Sequence, residues 1–483
     1  MARVKIDLDR RLGTIDRKVY GMFIEHLGRC IYGGIYDPGS PRSDAKGFRT
    51  DVLEAAQGLQ SPILRWPGGN FASGYHWEDG VGPKDRRPVR AELAWNTIET
   101  NQFGTNEFIQ YCRALNTEPY ICANLGSGTM DEAAAWVAYC NRDDLTSYAR
   151  LRAEHGFPQP HRVTYWGLGN EMYGDWQIAH KSAADYAKLA RQCAQVMRAT
   201  DPSIKLVLCG GQDLDWDRET LGKCADLVDY ISYHFYWGTV KGQDAHYSNL
   251  AQPYHSEQYL RFLWQLIEQI RRDRGVATSI RIAVDEWNVW DLATTAEGLV
   301  EHYHVTDALA VAIYLNMLRR NCQAIGLATL AQMVNVIAPI LTSAEGICLQ
   351  TIYHPLRLAA EKAGGVALDA HVLCDSYEAA YIGVPRVPYL DVLATLEEAR
   401  KKLFLSLVNL SKDESQTVAV QVQAGSVRTD GTAHVIAGEA PEVTNTFGSE
   451  SVVCRPQPLS GLGAEFTYTM PPLAHAVLEL DII

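Results

Sequence analysis

Short apolar runs alternate with amphipathic helical stretches from about residue 20 to about residue 360. A parallel strand buried on both faces reads as a near-continuous apolar run, and such runs stand at 19–24, 63–66, 119–124, 163–169, 205–209, 228–234, 280–285 and 326–333. Between them, helical periodicity covers 50–59, 105–115, 131–140, 183–200, 257–274 and 301–320. Each stretch is long enough to cross back over a parallel strand. Eight strand–helix repeats that close on themselves predict a (β/α)8 TIM barrel. After about Gly365 the texture changes to dense alternation without long helices, as in Leu403 to Leu410, Thr417 to Val422 and Ala474 to Leu480, with Asp-Gly and Pro-Pro punctuation between runs. That pattern predicts a C-terminal β-sandwich, jelly-roll-like in outline. Val4, Ile6 and Leu8 alternate in the same way, so the N-terminal strand is expected to join the sandwich. The expected division is 1–16 for that strand, 17–364 for the barrel and 365–483 for the sandwich.

Two strand ends carry the chemistry. Tyr165-Trp166-Gly167-Leu168 runs into Gly169-Asn170-Glu171, and Ile282-Ala283-Val284 runs into Asp285-Glu286. Either motif alone reads equally well as a helix cap or an ion pair, but two of them at the active-site end of a barrel form a candidate acid pair. Glu171 follows the fourth strand and Glu286 the seventh. With strands about 4.8 Å apart and tilted about 36°, their side chains should face each other across roughly 5 Å, the spacing of a retaining glycosidase pair.

Other polar residues collect at the same rim. Glu25 ends the first strand, Arg65 and Asn70 flank the turn after the second, His234 and Tyr236 end the sixth, and Gln332 and Asn335 end the eighth. Trp95, Trp176, Trp237, Trp287 and Trp290 lie near them in sequence. Hydroxyl partners beside aromatic faces make a carbohydrate subsite.

Composition narrows the field. Hydrophobic residues make up 47% and charged residues 21% of 483, the texture of a globular enzyme. A net charge of −13 with no clustered Lys and Arg argues against a nucleic-acid partner. No run reaches the roughly 18 apolar residues of a membrane helix, and the charged, alternating N-terminus is not a signal peptide. The 11 cysteines stand at scattered apolar positions rather than framework spacings, which predicts free thiols in a reducing cytoplasm.

Five motifs in order resemble the α-L-arabinofuranosidases of glycoside hydrolase family 51: Arg65 to Asn70, Trp95 with Glu99 to Glu107, Gly169 to Met172, Asp285 to Trp290, and Ala331 to Ile340. The resemblance spans nearly the whole chain. It implies a retaining hydrolase acting on arabinose-containing oligosaccharides, without a cofactor or metal, and a homo-oligomer, commonly a hexamer. It also assigns roles that spacing leaves symmetric, with Glu171 as general acid/base and Glu286 as nucleophile. Glu25, Asn70, Trp95, Asn170, Tyr236 and Gln332 match positions that hold the arabinofuranosyl ring. In that scheme Asn170 donates to a ring hydroxyl and Tyr236 to the nucleophile, while burial under Trp176 and the charge of Glu286 raise the acid.

The chain departs from the family pattern at Tyr173 and Asp175, where Asp and Pro are usual, at Asn96-Thr97-Ile98, and at Leu125-Gly126-Ser127-Gly128. These positions lie at the rim, so an exo-arabinofuranosidase and an endo-glycanase or exo-enzyme for another sugar share the same core. A non-catalytic sugar-binding protein is the reading from another class, and two carboxylates forced together speak against it. His302 and His304 lack a third ligand at metal spacing, His26 and His76 read as packing groups, and an ion pair with Arg65 is a rival role for Glu25.

Overall fold

The computed structural model describes residues 1–291 and 299–483. Eight parallel strands close into a barrel in the order Gly21–Phe23, Ile63–Trp66, Glu118–Ala123, Tyr165–Leu168, Lys205–Leu208, Tyr230–Trp237, Arg281–Val289 and Ile325–Ala331, the last pairing with the first. They are called barrel strands one to eight below. Buried residues dominate every one of them, and all seven of Ile325–Ala331 are buried, so the apolar runs do mark parallel strands.

Helices cross back over the barrel, each with a readable start. Ser182 accepts from the Asp185 amide ahead of Ala183–Thr200, and Thr129 accepts from Glu132 ahead of Met130–Asn141. The helix Ala245–Arg274 begins twelve residues earlier than the periodicity suggested. Pro253 lies inside it and would normally mark a boundary. Burial of Leu250, Ala251 and Pro253 itself holds that first stretch helical despite the lost backbone hydrogen bond. Ser147–Glu154, Leu214–Cys224 and Tyr353–Glu361 are helices that the sequence reading passed over.

The sandwich strands form one hydrogen-bonded sheet of nine, in the order Arg455–Ser460, Val427–Ala437, Ala474–Ile482, Lys402–Asn409, Leu390–Glu397, Val366–Leu373, Ala2–Thr14, Gln416–Gln423 and Glu465–Met470. Strand Ala2–Thr14 runs antiparallel to Val366–Leu373 and parallel to Gln416–Gln423. Inward residues from both ends of the sheet, such as Val4, Leu405, Val420, Phe466 and Leu478, meet in a single core. Alternation divides each strand between two cores. Leu403, Leu405 and Leu407 enter the sandwich core, whereas Phe404 and Val408 join the barrel core. The helix Val305–Arg320 packs between the two, and it is buried along its whole length except Arg320. A helix covered on all sides is largely apolar, and the buried polar groups of this one are bonded, Asn316 to Asp391 and Arg319 to Asn316.

One layer inside the barrel closes its floor, made by Ile63, Tyr120, Val207, Tyr230, Ala283 and Leu327. The Tyr120 hydroxyl rises from this layer to donate to Asp285 Oδ2 at 2.7 Å, which ties the floor to the site above. Each of the 11 cysteines is unpaired, and nine are buried. Among the described residues no helix is long and apolar enough to cross a membrane.

Candidate active site

Strand register sets the centre of the site. Glu286 on barrel strand seven pairs laterally with His234 on strand six, and Asn288 pairs with Tyr236 two residues on. From strand four the chain turns sharply, with Gly169 at φ +80° and Glu171 at φ +43°. The left-handed region is costly for a residue with a side chain. The turn delivers Glu171 over the strand ends, where one of its oxygens, one of Glu286 and a nitrogen of His234 lie within 4.8 Å of one another.

Each carboxylate oxygen of the pair accepts a hydrogen bond. Arg65 Nη1 donates to Glu286 Oε1 at 2.6 Å and the Tyr236 hydroxyl to Oε2 at 2.7 Å. Glu171 Oε1 is bonded to His234 Nδ1 at 2.9 Å and lies 3.4 Å from the Tyr173 hydroxyl, while Trp176 Nε1 donates to Oε2 at 2.7 Å. Below them Asp285 is wholly buried, 3.5 Å from Arg65 Nε and 3.3 Å from His234 Nε2. Glu171, His234 and Glu286 together could span a metal ion. With a permanent guanidinium 2.6 Å from one carboxylate and all four oxygens engaged, they read instead as an acid pair with its own counter-charges.

Arg65 and His234 therefore sit behind the carboxylates and do not line the cavity above. The sequence reading made them sugar contacts; the structure bonds both to the carboxylates of the pair. Arg65 does not pair with Glu25 either, because its second arm donates to Asn170 Oδ1 at 2.6 Å. That bond orients the Asn170 amide, whose Nδ2 is buried with no hydrogen-bond partner among the described residues.

Glu25 is held by neutral donors, the Phe71 amide and Trp95 Nε1 at 3.0 Å each and Gln332 Nε2 at 3.1 Å. It packs so tightly on the Gly68-Gly69 turn that a Cβ at Gly68 would come within 2.6 Å of its Cγ. Burial, reinforced by the charge of Glu286, pushes the Glu25 carboxyl up to about 8. Burial also acts on His234, tending to lower it, but the Glu286 charge and the bonds to Asp285 and Glu171 prevail and raise the imidazole to about 10. For Glu171 the balance runs against the sequence expectation. Burial does push its carboxyl up, yet the bond and charge of His234, with the Trp176 bond, more than offset it and leave the group below its ordinary value. Trp176 is 53% exposed and acts as a donor, not as a cover.

The cavity over the pair has a volume of about 760 Å³ and is lined by Glu25, Asn70, Trp95, Glu171, Tyr236, Glu286, Trp290 and Gln332, with Trp176, Gln212, Thr239 and Asp291 toward one side. Trp290 stands edge-on to Tyr236 at 5.6 Å. Trp287 stacks on Tyr314 of the helix Val305–Arg320 at 4.7 Å and does not line the cavity, whereas Trp237 stacks on the same ring at 5.0 Å and also lines it. Asn335 is structural too, bonded to the Thr342 amide and hydroxyl and to the Arg29 carbonyl. His26 stacks on Phe71 and pairs with Glu99, His76 pairs with Glu132, and His304 begins the helix Val305–Arg320 with Asp307. Sequence reasoning missed Gln212, whose Gly-Gly-Gln-Asp loop shows only turn and cap signals, and Gln177, which donates to Asn70.

Comparison with known proteins agrees across the chain. The family model described as α-L-arabinofuranosidase 1 domain matches residues 55–254, and that of the α-L-arabinofuranosidase C-terminal domain matches residues 285–474. The chain is 42% identical over 472 residues to alpha-L-arabinofuranosidase C of Emericella nidulans, covering 93% of this chain and 92% of the relative. It is 40% identical over 432 residues to an intracellular exo-alpha-(1->5)-L-arabinofuranosidase of Halalkalibacterium halodurans, 86% of each. Among solved structures, the arabinose complex of the Thermotoga maritima alpha-L-arabinofuranosidase superposes with a TM-score of 0.92 at 39% identity over 99% of both chains. The GH51 alpha-L-arabinofuranosidase of Thermotoga petrophila RKU-1 gives 0.93 at 39% identity over the full length of both.

Proposed function

Because this chain belongs to the α-L-arabinofuranosidases of glycoside hydrolase family 51, we propose that it removes non-reducing terminal α-L-arabinofuranosyl residues from arabinose-containing oligosaccharides with net retention of configuration. The observation that carries this reading is the approach of a Glu171 and a Glu286 oxygen to within 4.8 Å, close to the roughly 5–5.5 Å carboxyl separation at which one acid attacks the anomeric carbon while the other protonates the leaving oxygen. An inverting pair needs a wider gap for a water.

In the first step Glu286 attacks the anomeric carbon, the glycosidic bond breaks, and Glu171 gives its proton to the departing oxygen. In the second, Glu171 takes a proton from water, the water oxygen attacks the anomeric carbon, and the bond to Glu286 breaks. Glu171 needs a proton at the outset, and His234 Nδ1, 2.9 Å away, is the nearest ionisable group. The unpaired Asn170 Nδ2 suits a ring hydroxyl that gains negative character as the oxocarbenium ion forms. Glu25, Asn70, Trp95 and Gln332 form the wall that takes the remaining ring hydroxyls.

Two further properties belong to this proposal. Unpaired, mostly buried cysteines and an intracellular relative favour the cytoplasm. The family favours a homo-oligomer, a hexamer by the usual pattern, which light scattering on the purified chain would test. The central experiment compares aryl α-L-arabinofuranoside, aryl β-xyloside and polymeric xylan, and follows the first-formed anomer by NMR. Hydrolysis of the first with retention is the expected result. Preference for either xylose substrate, or inversion, would refute the assignment.

A further inference from the structure

The polar groups of the cavity fall on two sides of the ring. Glu25 follows barrel strand one, Asn70 and Trp95 follow strand two, and Gln332 follows strand eight. In the closed order, strands five and six stand across the ring from one and two. Their loops bring Gln212, Gly238 and Thr239 to the opposite wall, with Trp176 beside them from the loop after strand four. Glu171 and Glu286 stand between the two walls. If the arabinofuranosyl ring occupies the first wall, as the functional reading has it, the sugar that leaves lies against the second.

The loop after strand five is fixed on both sides of residue 212. The Gly210 amide donates to Ser232 Oγ at 3.2 Å and the Gly211 amide to the buried Asp217 Oδ1 at 2.8 Å. On the other side Asp213 accepts from the Asp215 and Trp216 amides at 3.0 and 2.8 Å, and Trp216 Nε1 returns to the Cys209 carbonyl at 3.1 Å. No side chain fits at Gly210, where a Cβ would lie 2.0 Å from the Ser232 carbonyl oxygen. Tyr259 secures Asp217 from the next helix at 2.8 Å. The backbone is thus pinned, while the Gln212 side chain is exposed to the cavity and has no hydrogen-bond partner among the described residues.

We propose that Gln212 is a specificity-determining residue that hydrogen-bonds the hydroxyls of the leaving sugar, with Trp176 as its apolar wall. A carboxamide both donates and accepts, so it suits a neutral, polyhydroxylated ring and offers nothing to an aryl group. No internal bond has to break for the amide to engage a ligand. The same contacts would hold an incoming sugar when it, and not water, intercepts the glycosyl-enzyme.

This inference rests on the arabinofuranosidase reading, and its test separates the two. Wild type and Gln212→Ala are compared on an aryl α-L-arabinofuranoside and on an α-L-arabinofuranosyl disaccharide. Loss of one neutral hydrogen bond to the leaving sugar lowers the ratio of kcat/KM, disaccharide over aryl, by about fivefold. With the aryl donor and added free disaccharide as acceptor, the ratio of transfer to hydrolysis falls by a similar factor. Thr239→Val, which removes the neighbouring hydroxyl at constant shape, serves as a second variant and lowers the same ratios by a smaller factor. A structural role for Gln212 would depress all rates in parallel. Either that result or unchanged ratios would overturn the assignment. A wild-type protein inert toward the aryl donor would overturn the functional reading itself, and this inference with it.

Discussion

Replacing Arg65 by Met tests the charge network that holds the two glutamates. Arg65 is 1% exposed and lies 2.6 Å from Glu286, 3.5 Å from Asp285 and 2.6 Å from Asn170, with its guanidinium 4.7 Å over the Phe23 ring. Methionine fills similar volume, so the change strands two adjacent buried carboxylates without opening a large cavity. Removing one partner of a buried pair costs about 3–5 kcal/mol, and the donors that remain, His234, Tyr120 and Tyr236, keep the loss near about 3 kcal/mol. In a chain of this length that is a fall in Tm of roughly 3 °C at neutral pH. The pH dependence supplies the sharper check. In the wild type, burial pushes Asp285 up but Arg65 and His234 hold it below its ordinary value, so its contribution is present above the unfolded value and is lost as pH falls through the folded one. Without the guanidinium, burial opposes ionisation of Asp285, and the variant recovers as acid returns its proton. The deficit should therefore be widest near about pH 7 and narrower near about pH 5 in denaturant unfolding of both proteins. A variant as stable as wild type at neutral pH, or a deficit that widens on acidification, would refute the reasoning.

Glu286→Ala should abolish turnover and regain it with azide, yielding the inverted glycosyl azide, and no rescue would count against a nucleophile at that position. Glu171→Ala should still glycosylate with aryl leaving groups while disaccharides stall, so equal losses on both substrates would remove its role as acid. Glu25→Gln should gain stability relative to wild type as pH rises from about 5 to 9, because a carboxyl raised to about 8 costs the folded state above its unfolded value, and parallel curves would contradict that shift. The substitution is accommodated if Gln332, whose Oε1 has no partner among the described residues, rotates to accept from the new amide.

Much of the architecture was legible because its signals are local. Apolar runs such as Ile325–Ala331 and alternating ones such as Gln416–Gln423 declare their burial through period alone. The helix Leu214–Cys224 was not legible, since Trp216, Asp217, Thr220 and Leu221 are buried in a stretch too polar to look amphipathic. Glu171 and Glu286 stood out as acids closing apolar strands. Arg65 and His234 were legible as rim residues but not as partners of the acids, because those pairings depend on register and inward side-chain reach between separate strands, which no single segment encodes. The same limit explains why Arg65 read as a partner for Glu25, its neighbour in strand order, when its side chain runs inward to Asp285 and Glu286.

Spacing treats the two glutamates alike, and their surroundings do not. Glu286 faces Arg65, a cation that does not surrender its proton in this range, and a phenol that only donates. Glu171 faces His234, a cation that can, and an exposed indole from a surface loop. A nucleophile needs a fixed charge environment through the attack, whereas an acid that later becomes a base needs a neighbour able to share a proton as the charge beside it comes and goes. When Glu286 becomes an ester, its charge vanishes and the strongest influence raising His234 goes with it. With the imidazole less firmly charged, less positive charge opposes protonation of Glu171, which is the direction required of a base that takes a proton from water. Two identical side chains are thus pushed toward opposite tasks by one guanidinium and one imidazole.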